Sequence, residues 1–308
     1  MIARDLAWVG LVSTDVDATA TVFERHLGLP RSDVASGAGP VPVFTIGRSA
    51  LAVFPAGHPL LGGDAKPGVH HIALGVEDLE RAAQTAAAAG IPAARATARG
   101  LGGRGCIALD RSVTVGVRTL LTEPIDLPPH AGGPLERIDH LGAASTDVLE
   151  DEALFCGKLG FQVESRQTDM EVNMAVESFT SDKYGVVYHS REPEPVGGLR
   201  VCFITLGDCE LEFLANFNPR QVGAVERGQP GNTKQDQGAI TRFVGSRGRG
   251  LHHIALKAPD INATLGAMAK AGLEMIDTRG RPGSRRALIG FAHPRALGGV
   301  LMHLVQRA

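Results

Sequence analysis

A short motif occurs twice in this chain and constrains its fold more than any other feature. The segments GVHHIAL at 68–74 and GLHHIAL at 250–256 are nearly identical. Each continues with apolar residues at helical spacing and then a glycine, as GVEDLERAAQTAAAAGI and KAPDINATLGAMAKAGL. This pattern predicts a strand, a short loop with an aspartate near the helix start, a helix and a glycine stop. Such a repeat indicates a chain built from related structural units.

A second pair of segments matches in the same way. WVGLVSTDVDATATVFERHLGLP at 8–30 aligns with HLGAASTDVLEDEALFCGKLGFQ at 140–162. Both predict an apolar strand, an STD triplet that can cap a helix, and an amphipathic helix. Short β-rich runs follow each predicted helix, so each unit is predicted to be βαβββ. The predicted units, in chain order, cover about 5–60, 66–124, 136–218 and 248–308.

A linker divides these units into two pairs. The segment EPIDLPPHAGGPLER at 123–137 is rich in proline and glycine. We therefore predict an α+β chain with two domains, residues 1–124 and 136–308, which agrees with the usual domain size of about 100–200 residues. The irregular segment 218–238 is long for a connection within a compact domain, and such segments often form lids or binding loops.

Composition and charge exclude several classes of function. The net charge of −2 gives no electrostatic reason to bind nucleic acid or an anionic membrane. Apolar runs stay well short of the ~18 residues that span a bilayer. The N-terminus lacks the order of a signal peptide, and the 4 cysteines form no CxxC motif. We therefore expect a cytoplasmic protein with free thiols.

The chain has four predicted units, and HHIA lies near the start of the second and the fourth. This arrangement resembles the vicinal-oxygen-chelate superfamily. That superfamily includes glyoxalase I, methylmalonyl-CoA epimerase, fosfomycin-resistance proteins and extradiol dioxygenases. The likeness is most specific in AITRFVGSRGRGLHHIALKAPDI and RPGSRRALIGFAHPRALGGVLMHLVQ, which are similar to the corresponding stretches of methylmalonyl-CoA epimerases. The resemblance implies two glyoxalase-like domains, each a cup-shaped sheet made by two modules. A homodimer is common in this superfamily, and the sequence leaves the oligomeric state open.

The same resemblance implies one metal site in the C-terminal half. Carried over residue by residue, the four ligand positions fall on His140, Glu212, His253 and His303. The superfamily usually has a glutamate at the last of these positions. Imidazole and carboxylate donors together suit one divalent ion of Fe, Mn, Co, Ni or Zn. Glu212 lies in an apolar run, where a lone charge would be costly, and Glu210 on the same strand face is its alternative.

The repeat allows the two halves to be compared at these positions. The corresponding N-terminal residues are Trp8, Ala52, His71 and Leu120. A histidine is the one metal-binding side chain among them. The N-terminal half is therefore predicted to have a decayed metal site and to serve as a scaffold or a cap.

Candidate acid–base residues accompany the predicted ligands. His303 can move a proton instead of binding the metal. His189 and Tyr188, in GVVYHS, are two further candidates, and polar strand surface is their alternative interpretation. His252 is expected to point away from His253, because neighbours on a strand face opposite ways.

Candidate substrate-binding residues lie near the C-terminus. Arg281 and Arg285, in a basic stretch, can hold an anionic group, and a solvated loop is the alternative. His293, in the FAHP segment, is a candidate substrate contact or a structural residue.

These residues favour a metal-dependent isomerase, epimerase or lyase. The ion would bind neighbouring oxygens of a small carbonyl or carboxylate substrate and stabilise an enolate-type intermediate. One alternative is an Fe(II)-dependent ring-cleaving or keto-acid dioxygenase, which normally uses two histidines and one carboxylate. Another is a non-catalytic protein that binds a small molecule in the cup.

Overall fold

The computed structural model consists mainly of two large β-sheets with short helices beside them. It describes residues 2–3, 5–63, 65–95, 99–130, 132–173, 175–183, 185–192, 194–216 and 238–307. The predicted lid or binding loop at 218–238 lies, apart from Gly238, outside the described residues.

The first sheet is built from the N-terminal half. Its strands are β1 Asp5–Ser13, β2 Arg31–Ser36, β3 Gly39–Ile46, β4 Ser49–Pro55, β5 Gly68–Gly75, β6 Ala93–Arg95, β7 Cys106–Leu109 and β8 Thr119–Thr122. Their spatial order is β2-β3-β4-β1-β5-β8-β7-β6. The antiparallel pairing of β1 with β5 joins the first two predicted units into one sheet.

The second sheet repeats this arrangement in the C-terminal half. The strands of this half are β9 Arg137–Ala144, β10 Gln162–Asn173, β11 Val176–Ser181, β12 Gly185–Ser190, β13 Glu194–Leu206, β14 Cys209–Asn216, β15 Gly250–Lys257, β16 Arg281–Pro282, β17 Leu288–Phe291 and β18 Met302–Gln306. The order in the large sheet is β10-β13-β14-β9-β15-β18-β17-β16, and β11 with β12 forms a separate two-stranded sheet.

Four of the five α-helices in the described residues start where the sequence signals predict. The five helices are α1 Val16–Thr21, α2 Leu79–Ala88, α3 Val148–Glu152, α4 Ala239–Arg247 and α5 Ile261–Lys270. Four of them follow an aspartate whose side chain accepts a backbone N–H of the first turn, namely Asp15, Asp78, Asp147 and Asp260. The predicted STD caps are therefore confirmed, with the aspartate as the capping residue. No helix in the described ranges is long and apolar enough to cross a membrane.

Shorter helical segments complete the connections. Helices α1 and α3 continue as π-helical segments, Val22–His26 and Ala153–Lys158. The 3-10 turns are Pro59–Leu61, Leu101–Gly103, Ser284–Arg286 and Pro294–Leu297. The predicted glycine stops, Gly90 and Gly272, follow α2 and α5 with φ of 76° and 83°, a region that favours glycine.

The element order gives the same unit four times. In each unit the last strand lies parallel to the first, as β4 to β1, β8 to β5, β14 to β9 and β18 to β15. The third unit differs because the β11–β12 hairpin is inserted between β10 and β13. The predicted α+β fold of four βαβββ modules in two glyoxalase-like domains is confirmed. We keep 1–124 and 136–308 as the proposed domain bounds.

The two faces of each sheet have different surroundings because strand side chains alternate. One face packs into a buried apolar cluster that contains residues of both sheets, such as Val9 and Ile254, together with helix residues such as Phe23. The opposite face of the first sheet is filled by a second apolar cluster around Trp8 and Phe54. The opposite face of the second sheet carries two smaller apolar clusters and a set of buried polar side chains.

Candidate metal centre

Four neighbouring strands in the middle of the second sheet bring the predicted ligands together. The adjacent strands β14, β9, β15 and β18 carry, in that order, Glu212, His140, His253 and His303. Glu212 and His253 both pair with Gly142, while His140 and His303 both pair with Ala255. The four side chains therefore stand on one face of the sheet, around two of its smallest residues.

Gly142 makes room for one of these side chains. A Cβ atom at this position would lie 2.0 Å from Cε1 and 2.5 Å from Nε2 of His253. The imidazole therefore occupies the space that any other side chain would need. The N-terminal half has the same arrangement, because a Cβ on Gly10 would lie 2.1 Å from Cε1 of His71.

The distances among the four side chains are short enough for a shared ion. One ring nitrogen from each of His140, His253 and His303 lies within 4.8 Å of the others. The Oε2 atom of Glu212 is 3.4 Å from Nε2 of His140 and 3.3 Å from Nε2 of His253. All four residues are buried. The three histidines form a group that can hold a metal ion, and the carboxylate adjoins two of them.

Contacts outside the cluster orient the rings. Asp139 Oδ1 is 2.7 Å from Nδ1 of His140, which leaves Nε2 of that ring facing the cluster. Asp139 is fully buried and also accepts hydrogen bonds from Arg307, at 2.8 Å from Nε and 2.6 Å from Nη2. On the other side, Nδ1 of His252 is 3.0 Å from Nδ1 of His253. Such outer contacts fix the tautomer and direction of a metal-binding histidine.

The local electrostatics favour the protonation states that bind metals. Burial lowers the pKa of His253 and holds the pKa of His303 well below the ordinary value, so both rings are neutral. Burial alone would raise the pKa of Glu212, but the rings of His140 and His253 outweigh it and the pKa is lowered. Nδ1 of His303 is buried without a hydrogen-bond partner in the described part of the chain. Neutral imidazoles, an ionised carboxylate and an unsatisfied nitrogen fit a divalent cation.

The cluster lines a cavity of about 310 Å³. Leu199, Phe203 and Ile240 form part of its wall, and Ile289 and Phe291 form another part. Apolar pockets of this size with a few convergent polar groups commonly bind small molecules. The geometry therefore combines a set of metal-type donors with an apolar chamber.

The predicted arginines lie in the wall of this cavity, but carboxylates already face them. Arg281 and Arg285 both line it. Arg281 Nε is 3.2 Å from Asp277 Oδ1. Arg285 Nη2 is 2.6 Å from Glu210 Oε2. Glu210, the alternative ligand, is therefore engaged by an arginine outside the cluster.

Three other predicted site residues lie away from the cluster. Tyr188 and His189 are on β12 of the separate two-stranded sheet, where both are exposed, Tyr188 by 72%. His293 caps the turn Pro294–Leu297, because its Nδ1 accepts the backbone N–H of Arg295 at 3.2 Å. The structure does not bring these three side chains to the cavity.

The expectation for His252 was wrong. This residue lines the cavity and packs edge-on against Phe243, with 4.7 Å between the ring centroids. The register of β15 against β9 shifts between Leu251 and His253, so simple alternation fails at this point. Burial lowers the pKa of His252 to about 3 and keeps it neutral.

Sequence reasoning also missed the outer partners of the ligands. Asp139 precedes His140 directly in RIDHLG, so an acidic neighbour was visible in the sequence. Arg307 gave no such signal, because it lies 168 positions from Asp139 in the chain.

The N-terminal sheet has the same strand pairing, but three of its four corresponding residues are not metal-binding types. Ala52 and His71 both pair with Gly10, and Trp8 and Leu120 both pair with Ala73. The Trp8 indole packs edge-on against the His71 ring, with centroids 4.8 Å apart. An aromatic ring thus occupies the position that His140 has in the other half.

Comparisons with known proteins agree with this architecture. The mouse mitochondrial methylmalonyl-CoA epimerase is 25% identical over 130 residues, which cover 42% of this chain and 64% of the mouse protein. A mutant of 4-hydroxymandelate synthase from Streptomyces coelicolor superposes with a TM-score of 0.60 at 16% identity, covering 100% of this chain and 93% of that one. A halotolerant catechol dioxygenase superposes with a TM-score of 0.56 at 15% sequence identity. The match covers 99% of this chain and 87% of the dioxygenase.

Family models match both halves. Two models of the glyoxalase, bleomycin resistance protein and dioxygenase superfamily cover residues 5–114 and 139–291. The matched ranges contain both copies of the HHIA motif and three of the predicted ligands, His140, Glu212 and His253. The chain belongs to the glyoxalase/bleomycin resistance protein/dioxygenase superfamily.

Proposed function

We propose that this chain is a metal-dependent isomerase, epimerase or lyase that acts on a small oxygen-chelating substrate. One divalent ion would be held by His140, Glu212, His253 and His303. The observation that carries the proposal is the meeting of three buried imidazoles and one buried carboxylate on the cavity side of a single sheet. The similarity to proteins named as epimerases supports this class of reaction.

The donor set suits an ion that attracts oxygen atoms. Two neutral rings, His253 and His303, with the ionised Glu212 leave a bound divalent ion with net positive charge. When bound, the ion supplies a Lewis acid for neighbouring carbonyl or carboxylate oxygens. The apolar side chains of Phe203 and Phe291 in the wall lower the local polarity, which strengthens electrostatic contacts in the cavity.

His303 is the residue of the cluster that suits proton transfer. Its ring lines the cavity, and its Nδ1 has no partner among the residues described. An imidazole beside a substrate can accept a proton next to a carbonyl. His303→Gln separates its two roles. Loss of metal assigns it as a ligand, whereas retained metal with lost turnover assigns it to proton transfer.

Elemental analysis of the purified chain tests the metal site. We expect about one metal per chain in the wild type, lost in Glu212→Ala and His253→Ala. His71→Ala is the matched control, since His71 occupies the same position as His253 in the other sheet. This variant should keep its metal. No metal in the wild type after reconstitution would refute the enzyme proposal and leave a small-molecule binding protein.

One observation favours a second candidate, an Fe(II)-dependent dioxygenase. Glu212 contacts His140 and His253 at 3.4 and 3.3 Å, so these three residues form a two-histidine, one-carboxylate set. That set is typical of non-haem iron oxygenases. Oxygen consumption by the iron-loaded chain with a catechol or a 2-keto acid distinguishes this candidate. Proton exchange into a substrate without oxygen uptake supports the isomerase or lyase.

A further inference from the structure

Arg285 lies in the cavity wall, where an aromatic ring and two carboxylates contact its guanidinium group. Its guanidinium Cζ lies 3.5 Å from the centre of the Phe203 ring. Its Nη1 is 2.5 Å from Glu164 Oε2, and its Nη2 is 2.6 Å from Glu210 Oε2. The backbone of Arg285 has φ of 53°, in the left-handed region that costs energy for a residue with a side chain. The turn accepts this strain while the guanidinium stacks on an aromatic ring and binds two carboxylates.

Two neighbouring arginines, Arg307 and Arg137, also contact carboxylates. Arg307 binds both oxygens of Asp139 and lies 3.4 Å from Glu210 Oε2. Arg137 Nη2 lies 3.7 Å from Asp139 Oδ2. Together with Arg285, these cations face Glu164, Glu210 and Asp139, so positive and negative charges balance.

The third arginine of the wall is paired too. Arg281 Nε lies 3.2 Å from Asp277 Oδ1, and its guanidinium is 5.4 Å from the Phe291 ring. The remaining wall is formed largely by apolar side chains such as Leu199, Leu214 and Ile289. A substrate carboxylate placed here would meet carboxylates that already hold the arginines.

We infer that the cavity takes a substrate whose body is uncharged and apolar, with its polar atoms confined to the oxygens that face the metal-binding residues. This inference rests on the proposed metal centre and names the substrate class for that site. A volume of about 310 Å³ fits a compact molecule, and the phosphates of a coenzyme A group would have to lie outside it. The wall arginines therefore build the chamber and carry no substrate anion.

Two probes with the same pair of neighbouring oxygens test the inference. 4-Methylcatechol and 3,4-dihydroxybenzoate differ at the far end of the ring, where one has a methyl group and the other a carboxylate. We would titrate each into the Co(II)-loaded chain and follow the visible spectrum. The methyl probe should bind at least ten-fold more tightly. Equal or tighter binding of the carboxylate probe would overturn the inference.

The Glu210→Gln variant should bind the carboxylate probe more tightly than the wild type does. Removing this carboxylate leaves Arg285 and Arg307 with one negative partner fewer. Binding of 3,4-dihydroxybenzoate should then tighten several-fold, while binding of 4-methylcatechol stays within two-fold. If the variant leaves both affinities unchanged, the charge argument is wrong.

The cobalt spectrum separates this inference from the proposed function. A chain that takes up no cobalt refutes the metal centre before any probe is added. The same two probes are then compared by calorimetry on the metal-free chain with a chelator present. The preference for the methyl probe should persist, because the wall does not depend on the ion. A preference for the carboxylate probe in either form would refute the inference alone.

Discussion

The close contact between Gly142 and His253 makes a single methyl group a sensitive probe of the metal centre. In Gly142→Ala the added Cβ would lie 2.0 Å from Cε1 and 2.5 Å from Nε2 of the ring. An ordinary carbon contact is about 3.5–4.0 Å, so the ring must move by roughly 1.5 Å. Metal sites tolerate deviations of about 0.2 Å in ligand distances. We therefore expect metal affinity to fall at least ten-fold.

The same substitution should also reduce stability. Overpacking a filled site costs about 1–3 kcal/mol. Urea unfolding of the metal-free chain measures this loss of unfolding free energy, and competition with a chelating dye measures metal affinity. The two measurements are independent, because the first is made without metal.

Two further glycines supply the controls. Gly10→Ala creates the same clash in the N-terminal sheet, with Cβ 2.1 Å from Cε1 of His71. It should cost similar stability and leave metal affinity unchanged. Gly266→Ala, on α5 with open space around it, should stabilise the chain by up to about 1 kcal/mol. Wild-type metal affinity in Gly142→Ala, or equal metal loss in Gly10→Ala, would refute the reasoning.

Three further outcomes are expected. Asp139→Asn should weaken metal binding about 10–100-fold in the dye competition, because His140 loses the carboxylate that orients its Nδ1. Metal at 100 times its Kd should raise the unfolding free energy by about 2.7 kcal/mol, seen as a higher Tm that a chelator reverses. The metal-free chain should lose stability between about pH 6.5 and pH 4. Burial lowers the pKa of His70 to about 4, so the unfolded chain binds the proton more tightly in that window. His70 contributes about 3 kcal/mol at most, and urea unfolding of His70→Gln should show a flatter pH dependence.

The modules and their helix starts could be predicted because their signals are local. An aspartate before an apolar periodic run is sufficient to start a helix, as at Asp15 and Asp147. The pairing of β1 with β5 and of β9 with β15 joins two modules into each sheet, as the resemblance to the superfamily implies. The four candidate ligands could be placed because the resemblance to the superfamily assigns their strand positions, and the structure puts His140 and His303 beside the same small residue.

Local patterns do not determine register or sheet membership, so the surroundings of several side chains could not be predicted from the sequence. Tyr188 and His189 lie in a β-rich run, and the sequence alone does not tell that β11 and β12 leave the large sheet. His252 faces the cavity because of a register shift that alternation cannot reveal. The pairing of Arg285 with Glu164 joins residues 121 positions apart, so the sequence does not reveal that carboxylates contact this arginine.

The two halves share one strand arrangement but differ in the side chains that line their cups. Both sheets place a histidine over a glycine, yet Trp8 and its apolar neighbours fill the N-terminal cup, whereas the C-terminal cup contains buried polar side chains. The faces opposite these cups contribute to the same buried apolar cluster. Backbone bonds from Ile2 to Leu159 and from Thr14 to Gly298, at 3.0 and 2.9 Å, also join the halves. The N-terminal half therefore supplies part of the surface that buries the core of the C-terminal sheet, which gives it a structural role.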